Sequence, residues 1–108
     1  MTHTLAIDIG GTKLAMAAFC GGQIVRREQR HTDRAGGREW MLEQILQIAR
    51  PWHEALRFAR CGIAFGGPVD YATQRIARST HVDGWHGFEL SQFIQDRLGV
   101  PTLIDNDA

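Results

Sequence analysis

The sequence has little that would mark an extreme class of protein, and each shortage excludes something. There is no excess of charge: 12 lysines and arginines balance 12 aspartates and glutamates over 108 residues. A broad basic footprint for nucleic acid is therefore not expected, and the cluster Arg26, Arg27 and Arg30 reads as a solvated strand edge. No run approaches the roughly 20 apolar residues of a membrane-spanning helix, and the start MTHTLAIDIGG lacks the charged and apolar regions of a secretory leader. The expectation is a cytoplasmic protein that binds neither nucleic acid nor membrane. The two cysteines, Cys20 and Cys61, sit in separate apolar runs rather than in a CxxC pair, so they read as buried thiols and not as a redox or metal motif. Five histidines show neither HxxxH nor HExxH spacing. No internal repeat or low-complexity tract occurs, and the length suits one compact unit, too short for a two-lobed enzyme.

What is present is a regular alternation of short apolar runs and turn signals. Thr4 to Ile9 reads as a buried strand that ends in Gly10 and Gly11. Leu14 to Cys20 is a second run, and Gly21 with Gly22 turns it back into Gln23 to Gln29, a hairpin. After a polar loop, Trp40, Met41, Ile45, Ile48, Ala49 and Trp52 recur at helical spacing; Trp40 and Trp52 are packing aromatics. Pro51 is expected to end or kink this helix, with a further helical turn to about Phe58. Cys61 to Phe65 is a strand, Arg75 to Ala77 marks a short hairpin, and Phe88, Phe93, Ile94 and Leu98 mark a second helix stopped by Gly99 and Pro101. Thr102 to Ile104 begins a last strand. Three antiparallel strands followed by helix-linked parallel strands is an α/β arrangement with a mixed sheet, the ribonuclease H-like lobe of the actin-like ATPases.

The strongest local signal is Asp8, Ile9, Gly10, Gly11, Thr12, Lys13 between two strands. Phosphoryl transfer needs backbone amides aimed at phosphate oxygens and a carboxylate that holds magnesium directly or through water. Two glycines leave the main chain open to a phosphate, and Asp8 stands at the strand end. The segment is neither GxxxxGK[ST] nor GxGxxG, because its glycines join strand to strand. On its own it could also be a glycine hairpin beside an incidental aspartate. The closing Asp105, Asn106 and Asp107 could likewise cap a following helix. Pro68 reads as a turn residue, Asp70 as a turn-stabilising side chain and Lys13 as a solvated strand start.

Taken together, four segments resemble the ROK family of sugar kinases. AIDIGGTKLA is similar to its phosphate signature, and GIAFGGPVD (Gly62 to Asp70) to its GxGxPGPVD segment. Gly84 with Trp85 resembles its GW pair, and LGVPTLIDNDA (Leu98 to Ala108) its LGxPVxVxNDA stretch. The resemblance covers essentially the whole chain and implies an amino-terminal kinase lobe over residues 1–108, truncated after the catalytic aspartate, with the second lobe absent. It implies ATP-dependent phosphorylation of a hexose or amino sugar, as in glucokinase and N-acetylmannosamine kinase. Asp107 would be the general base, with Gly67, Asn106 and Asp107 binding the sugar. Asp8, Gly10, Gly11, Thr12 and Lys13 would bind the nucleotide phosphates, and Asp8 the Mg2+. A structural zinc is implied only for the second lobe, and the family allows a homodimer.

Two departures stand out from the family pattern. His81, Val82 and Asp83 replace the PNL of a PNLGW stretch, which removes an asparagine near the sugar, so glucose-type specificity is not assumed. Gly66 replaces a proline. Because closing two lobes excludes water and aligns donor with acceptor, the 108 residues alone are expected to be inactive. Two rivals carry weight. One is a ribonuclease H-like magnesium nuclease using Asp8 and Asp107, which the GGTK turn does not serve. The other is a sugar-sensing ROK regulator, for whose DNA-reading winged helix the eight residues up to the phosphate signature leave no room.

Overall fold

A computed structural model of the chain describes residues 1–67, 69–77 and 84–106, and of Asn106 it describes the backbone. Strands β1 (His3–Ile9), β2 (Lys13–Cys20) and β3 (Gln23–His31) form an antiparallel meander. A 3-10 turn over Arg34–Gly36 leads into α1 (Gly37–Leu56), then β4 (Phe58–Phe65). The hairpin β5 (Val69–Asp70) and β6 (Arg75–Ile76) precedes α2 (Leu90–Leu98), and β7 (Thr102–Asn106) completes the set. The main sheet runs β3-β2-β1-β4-β7, with β4 parallel to both β1 and β7. The ribonuclease H-like order read from the sequence is the order observed.

Side chains alternate across each strand. One face carries Leu5, Ile7, Ile9, Leu14, Met16, Cys61, Ile63, Phe65 and Ile104, all buried beneath the helices. The spacing of Met41, Leu42, Ile45, Ile48 and Ala49 turns one stripe of α1 onto that layer. Leu90, Ile94 and Leu98 do the same for α2. Each large side chain so buried contributes about 1.5–3 kcal/mol over leaving it in water. The opposite face carries Ala6, Ala15, Ala17 and Ala64, bordered by larger side chains such as Phe19, Ile24, Tyr71 and Leu103, and forms an open, mainly apolar trough of about 700 Å³. Among the described residues no helix covers it.

The structure corrects several local expectations. Pro51 neither ends nor breaks α1, which continues to Leu56. The missing proline N–H would have met the Gln47 carbonyl, on an exposed turn where water can take its place. The helix stops instead at Arg57, in left-handed conformation with φ 59°, its N–H donating to the His53 carbonyl at 2.9 Å. Phe58 is therefore the first residue of a strand, its N–H donated to His53 Nδ1 at 3.0 Å. Arg30 is no free edge cation: it pairs with Glu28 at 2.8 Å and donates to Gln44 and Gln47 of α1. No helix among the described residues is long and apolar enough to cross a membrane.

The glycine hairpin is as expected, with Gly21 and Gly22 both at positive φ. A register shift between Ala18 and Phe19 leaves Val25 as an extra residue in β3, so Lys13 faces His31. Trp85 is 1% exposed and packs edge-on against Phe65 and Phe88. Its Nε1–H has no hydrogen-bond partner among the described residues.

The two thiols are unlike. Cys20 is half-buried, against expectation, whereas Cys61 is buried in β4. Burial pushes the Cys61 thiol from 9.0 up to about 12, offset in part by its hydrogen bond with Thr102. A raised pKa favours the neutral thiol of the folded chain, so stability is complete below pH 9. It falls between about pH 9 and 12, where the unfolded chain alone gives up the proton, by at most about 1.4 kcal/mol per pH unit. Urea unfolding from pH 8 to 11 is expected to show this slope in the wild type and to lose it in Cys61→Ala. A thiol reagent is expected to label Cys20 first and Cys61 only on unfolding.

Candidate functional site

Parallel pairing brings the strand ends to one edge of the sheet. Ile9 aligns with Phe65, and Phe65 with Asn106, so the carboxyl ends of β1, β4 and β7 lie flush. Ligands of open α/β sheets bind at this edge, just beyond the strand ends. The Gly10–Lys13 turn leaves from β1, the Gly66–Gly67 loop from β4, and Asn106 closes β7. One residue earlier, Asp8, Ala64 and Asp105 form a row across the three strands. With strands about 4.8 Å apart, the Asp8 and Asp105 backbones are about 10 Å apart, and both residues are exposed at the rim of the apolar trough.

The β1–β2 turn is held from three directions. Gly10 N–H closes it by donating to the Lys13 carbonyl at 2.9 Å, and a Cβ at Gly10 would meet that oxygen at 3.2 Å. Gly66 N–H donates to the Ile9 carbonyl at 2.8 Å, tying the second glycine loop to the first. From just after β3 and from the 3-10 turn, Thr32 Oγ1 donates to the Gly10 carbonyl and Arg34 Nε to the Gly11 carbonyl, each at 3.0 Å, while Thr32 N–H reaches the Thr12 carbonyl at 2.9 Å. The N–H groups of Gly11 and Thr12 have no partner among the described residues. Gly10 thus spends its amide on the turn, and Gly11 and Thr12 keep theirs.

Of the residues singled out in the sequence, Asp8, Gly10, Gly11, Thr12 and Lys13 share this edge with Gly67 and the backbone of Asn106. Asp107, Pro68 and His81 to Asp83 lie outside the described residues. Asp70 stabilises its turn, accepting the Ala72 N–H at 3.1 Å. No cluster of three metal-ligating side chains occurs among the described residues. A magnesium ion that travels with nucleotide phosphates takes one or two carboxylates and keeps its waters, a demand that Asp8 at the strand end fits.

Three contributors were not apparent from the sequence. Thr32 and Arg34 grip the turn, and Gln74 holds β7. Gln74 sits at φ 60°, and its side-chain amide pairs with the Ile104 peptide as a neighbouring strand would: Oε1 accepts the Ile104 N–H at 2.7 Å and Nε2 donates to its carbonyl at 3.2 Å. Nε2 also donates to the Tyr71 carbonyl at 2.8 Å.

This is one lobe of an actin-like ATPase fold, with a glycine turn, an acidic strand end and a second glycine loop on a common edge. The chain belongs to the ROK family, whose model matches residues 4–108. It is 26% identical over 110 residues to a glucokinase of Halalkalibacterium halodurans, covering 96% of this chain and 33% of that protein. To an N-acetylmannosamine kinase of Salmonella paratyphi B it is 31% identical over 106 residues, covering 97% of this chain and 36% of that protein. A crystal structure of a ROK family glucokinase from Streptomyces griseus in complex with glucose and AMPPNP superposes with a TM-score of 0.84 at 26% identity, covering 98% of this chain and 33% of that one. The chain thus spans about a third of the length of the curated relatives it matches.

Gln74→Ala is expected to destabilise the chain by about 2 kcal/mol, since the pairing is lost and the left-handed backbone is kept. Gln74→Gly, which relieves that backbone, should cost about 1 kcal/mol less. Urea unfolding measures both, and faster hydrogen exchange of the Ile104 amide would report the released strand.

Proposed function

We propose that this chain is the phosphate- and sugar-binding lobe of an ATP-dependent hexose or amino-sugar kinase. The observation that carries the reading is the braced turn with two unspent amides, Gly11 and Thr12, beside Asp8 and level with the end of β7. Backbone donors fixed before a phosphate arrives need no reorganisation during transfer, and positioning with charge neutralisation supplies most of the rate of phosphoryl transfer.

In this reading Gly11 and Thr12 N–H groups hold phosphate oxygens, Gly10 supplies the tight turn, and the Lys13 ammonium adds positive charge at the start of β2. Asp8 would hold, directly or through water, the Mg2+ that accompanies ATP, which would supply charge neutralisation to the transferring group. On the acceptor side, Gly67 leaves room for a sugar ring, and Asn106 hydrogen-bonds it. Asp107 takes the proton from the attacking hydroxyl as the γ-phosphoryl group arrives. The bond that forms joins the sugar oxygen to phosphorus, the bond that breaks is that to the ADP leaving oxygen, and the proton passes to the Asp107 carboxylate. The glucokinase and N-acetylmannosamine kinase relatives support a sugar acceptor. Closure over that acceptor would need a second lobe, so we propose that the 108 residues act as part of a longer protein, in the cytoplasm.

Asp107→Asn, introduced into a protein in which this chain is followed by a second ROK lobe, is expected to lower kcat by about 10²–10⁴-fold with little change in the KM for sugar. The 108-residue chain by itself should yield no sugar phosphate in a coupled assay. An Asp107→Asn enzyme of undiminished kcat would contradict the assignment.

A further inference from the structure

We infer that Thr32 and Arg34 form a brace that aims the amides of the β1–β2 turn, which makes Arg34 a positioning residue for the phosphate chain. The inference rests on the reading of that turn as the phosphate cradle. Three consecutive carbonyls are gripped from one short segment: Gly10 by Thr32 Oγ1, Gly11 by Arg34 Nε, and Thr12 by Thr32 N–H. A trans peptide is planar, so its N–H points opposite to its C=O. Fixing the Gly10 carbonyl therefore fixes the Gly11 N–H, and fixing the Gly11 carbonyl fixes the Thr12 N–H. These are the two turn amides without a partner among the described residues. The brace stands on the carbonyl side of both peptides, and their donors face away from it.

The choice of residues suits the task. A diglycine turn has little intrinsic preference for one orientation of its peptide planes, so an outside anchor decides it. A hydrogen bond received at a carbonyl polarises the same amide and makes its N–H a better donor, more so when the giver is charged. Arg34 is such a giver. Among the described residues it takes part in no ion pair, although Asp33 is its neighbour. Its guanidinium thus stands next to the turn without a salt bridge among the described residues, where it favours an arriving anion. Thr32 is placed by the extra residue in β3, which sets Lys13 opposite His31 and brings Thr32 level with Thr12.

The test is a titration of the 108-residue chain with inorganic tripolyphosphate, followed by amide NMR shifts. In the wild type the Gly11 and Thr12 amides are expected to move most. Arg34→Ala should weaken binding about tenfold, the equivalent of ~1.4 kcal/mol, with its unfolding midpoint unchanged. Before any ligand is added, Arg34→Ala should shift the Thr12 amide proton upfield, and Thr32→Val that of Gly11. Arg34→Lys, which can still donate to the Gly11 carbonyl, should recover part of the affinity. Removing a charge elsewhere, as in Arg50→Ala, should change little. Unchanged affinity and unchanged Thr12 shift in Arg34→Ala would overturn the brace and leave the cradle standing, as would an equal loss in Arg50→Ala. A wild-type titration that moves neither Gly11 nor Thr12 would overturn cradle and brace together.

Discussion

The site depends on the parallel pairing of β1 with β4. Leu5 lies against Cys61, Ile7 against Ile63 and Ile9 against Phe65, and all six side chains are buried on the helix side of the sheet. A slip of one residue would turn each member of a strand to the other face and strand apolar surface in water. At about 1.5–3 kcal/mol for each large side chain, that penalty exceeds any local preference of the loops. Core packing therefore sets the register, and the register sets the site. It makes the two strands end level, brings Gly66 within hydrogen-bond distance of Ile9, and leaves Asp8 on the open face in line with Ala64 and Asp105.

The same logic separates what could be read in the sequence from what could not. Strands with alternating or continuous apolar runs and glycine ends were legible: β1, β2 and the Gly21–Gly22 hairpin fall where the pattern puts them. Pro51 misled because its ring lies on the exposed side of a helix anchored by Met41, Leu42, Ile45 and Ile48. Tertiary burial outweighs one absent hydrogen bond. The residues that would bind phosphate were visible as a motif, but the residues that orient it were not. A simple two-residue hairpin would set Lys13 opposite Arg30; the bulge at Val25 moves it to His31 and makes Thr32 the neighbour of the turn. Nothing in residues 18–26 announces that bulge. Gln74 was hidden for another reason, because its contact with Ile104 spans 30 positions and belongs to no periodic pattern.

The polar and apolar parts of the sheet are separated. Its polar groups sit on one edge, while the adjoining face is an open trough. Its lining is mainly apolar, with Asp8, Arg27, Gln29 and Asp105 as polar members, and suits packing better than recognition of a sugar. The amide donors of the turn and the Asp8 carboxylate collect at its rim.

The most direct measurement of the central claim is paramagnetic broadening of backbone amides by manganese with ATP, using manganese as the stand-in for magnesium. If the turn and the flush strand ends form the phosphate site, broadening will centre on Gly11 and Thr12, extend to Asp8 and Gly67, and spare the Cys20 and Gly21 amides at the far end of the β1–β2 pair. Broadening centred on the alanine trough or on the outer turns of α1, with Gly11 and Thr12 sharp, would contradict it.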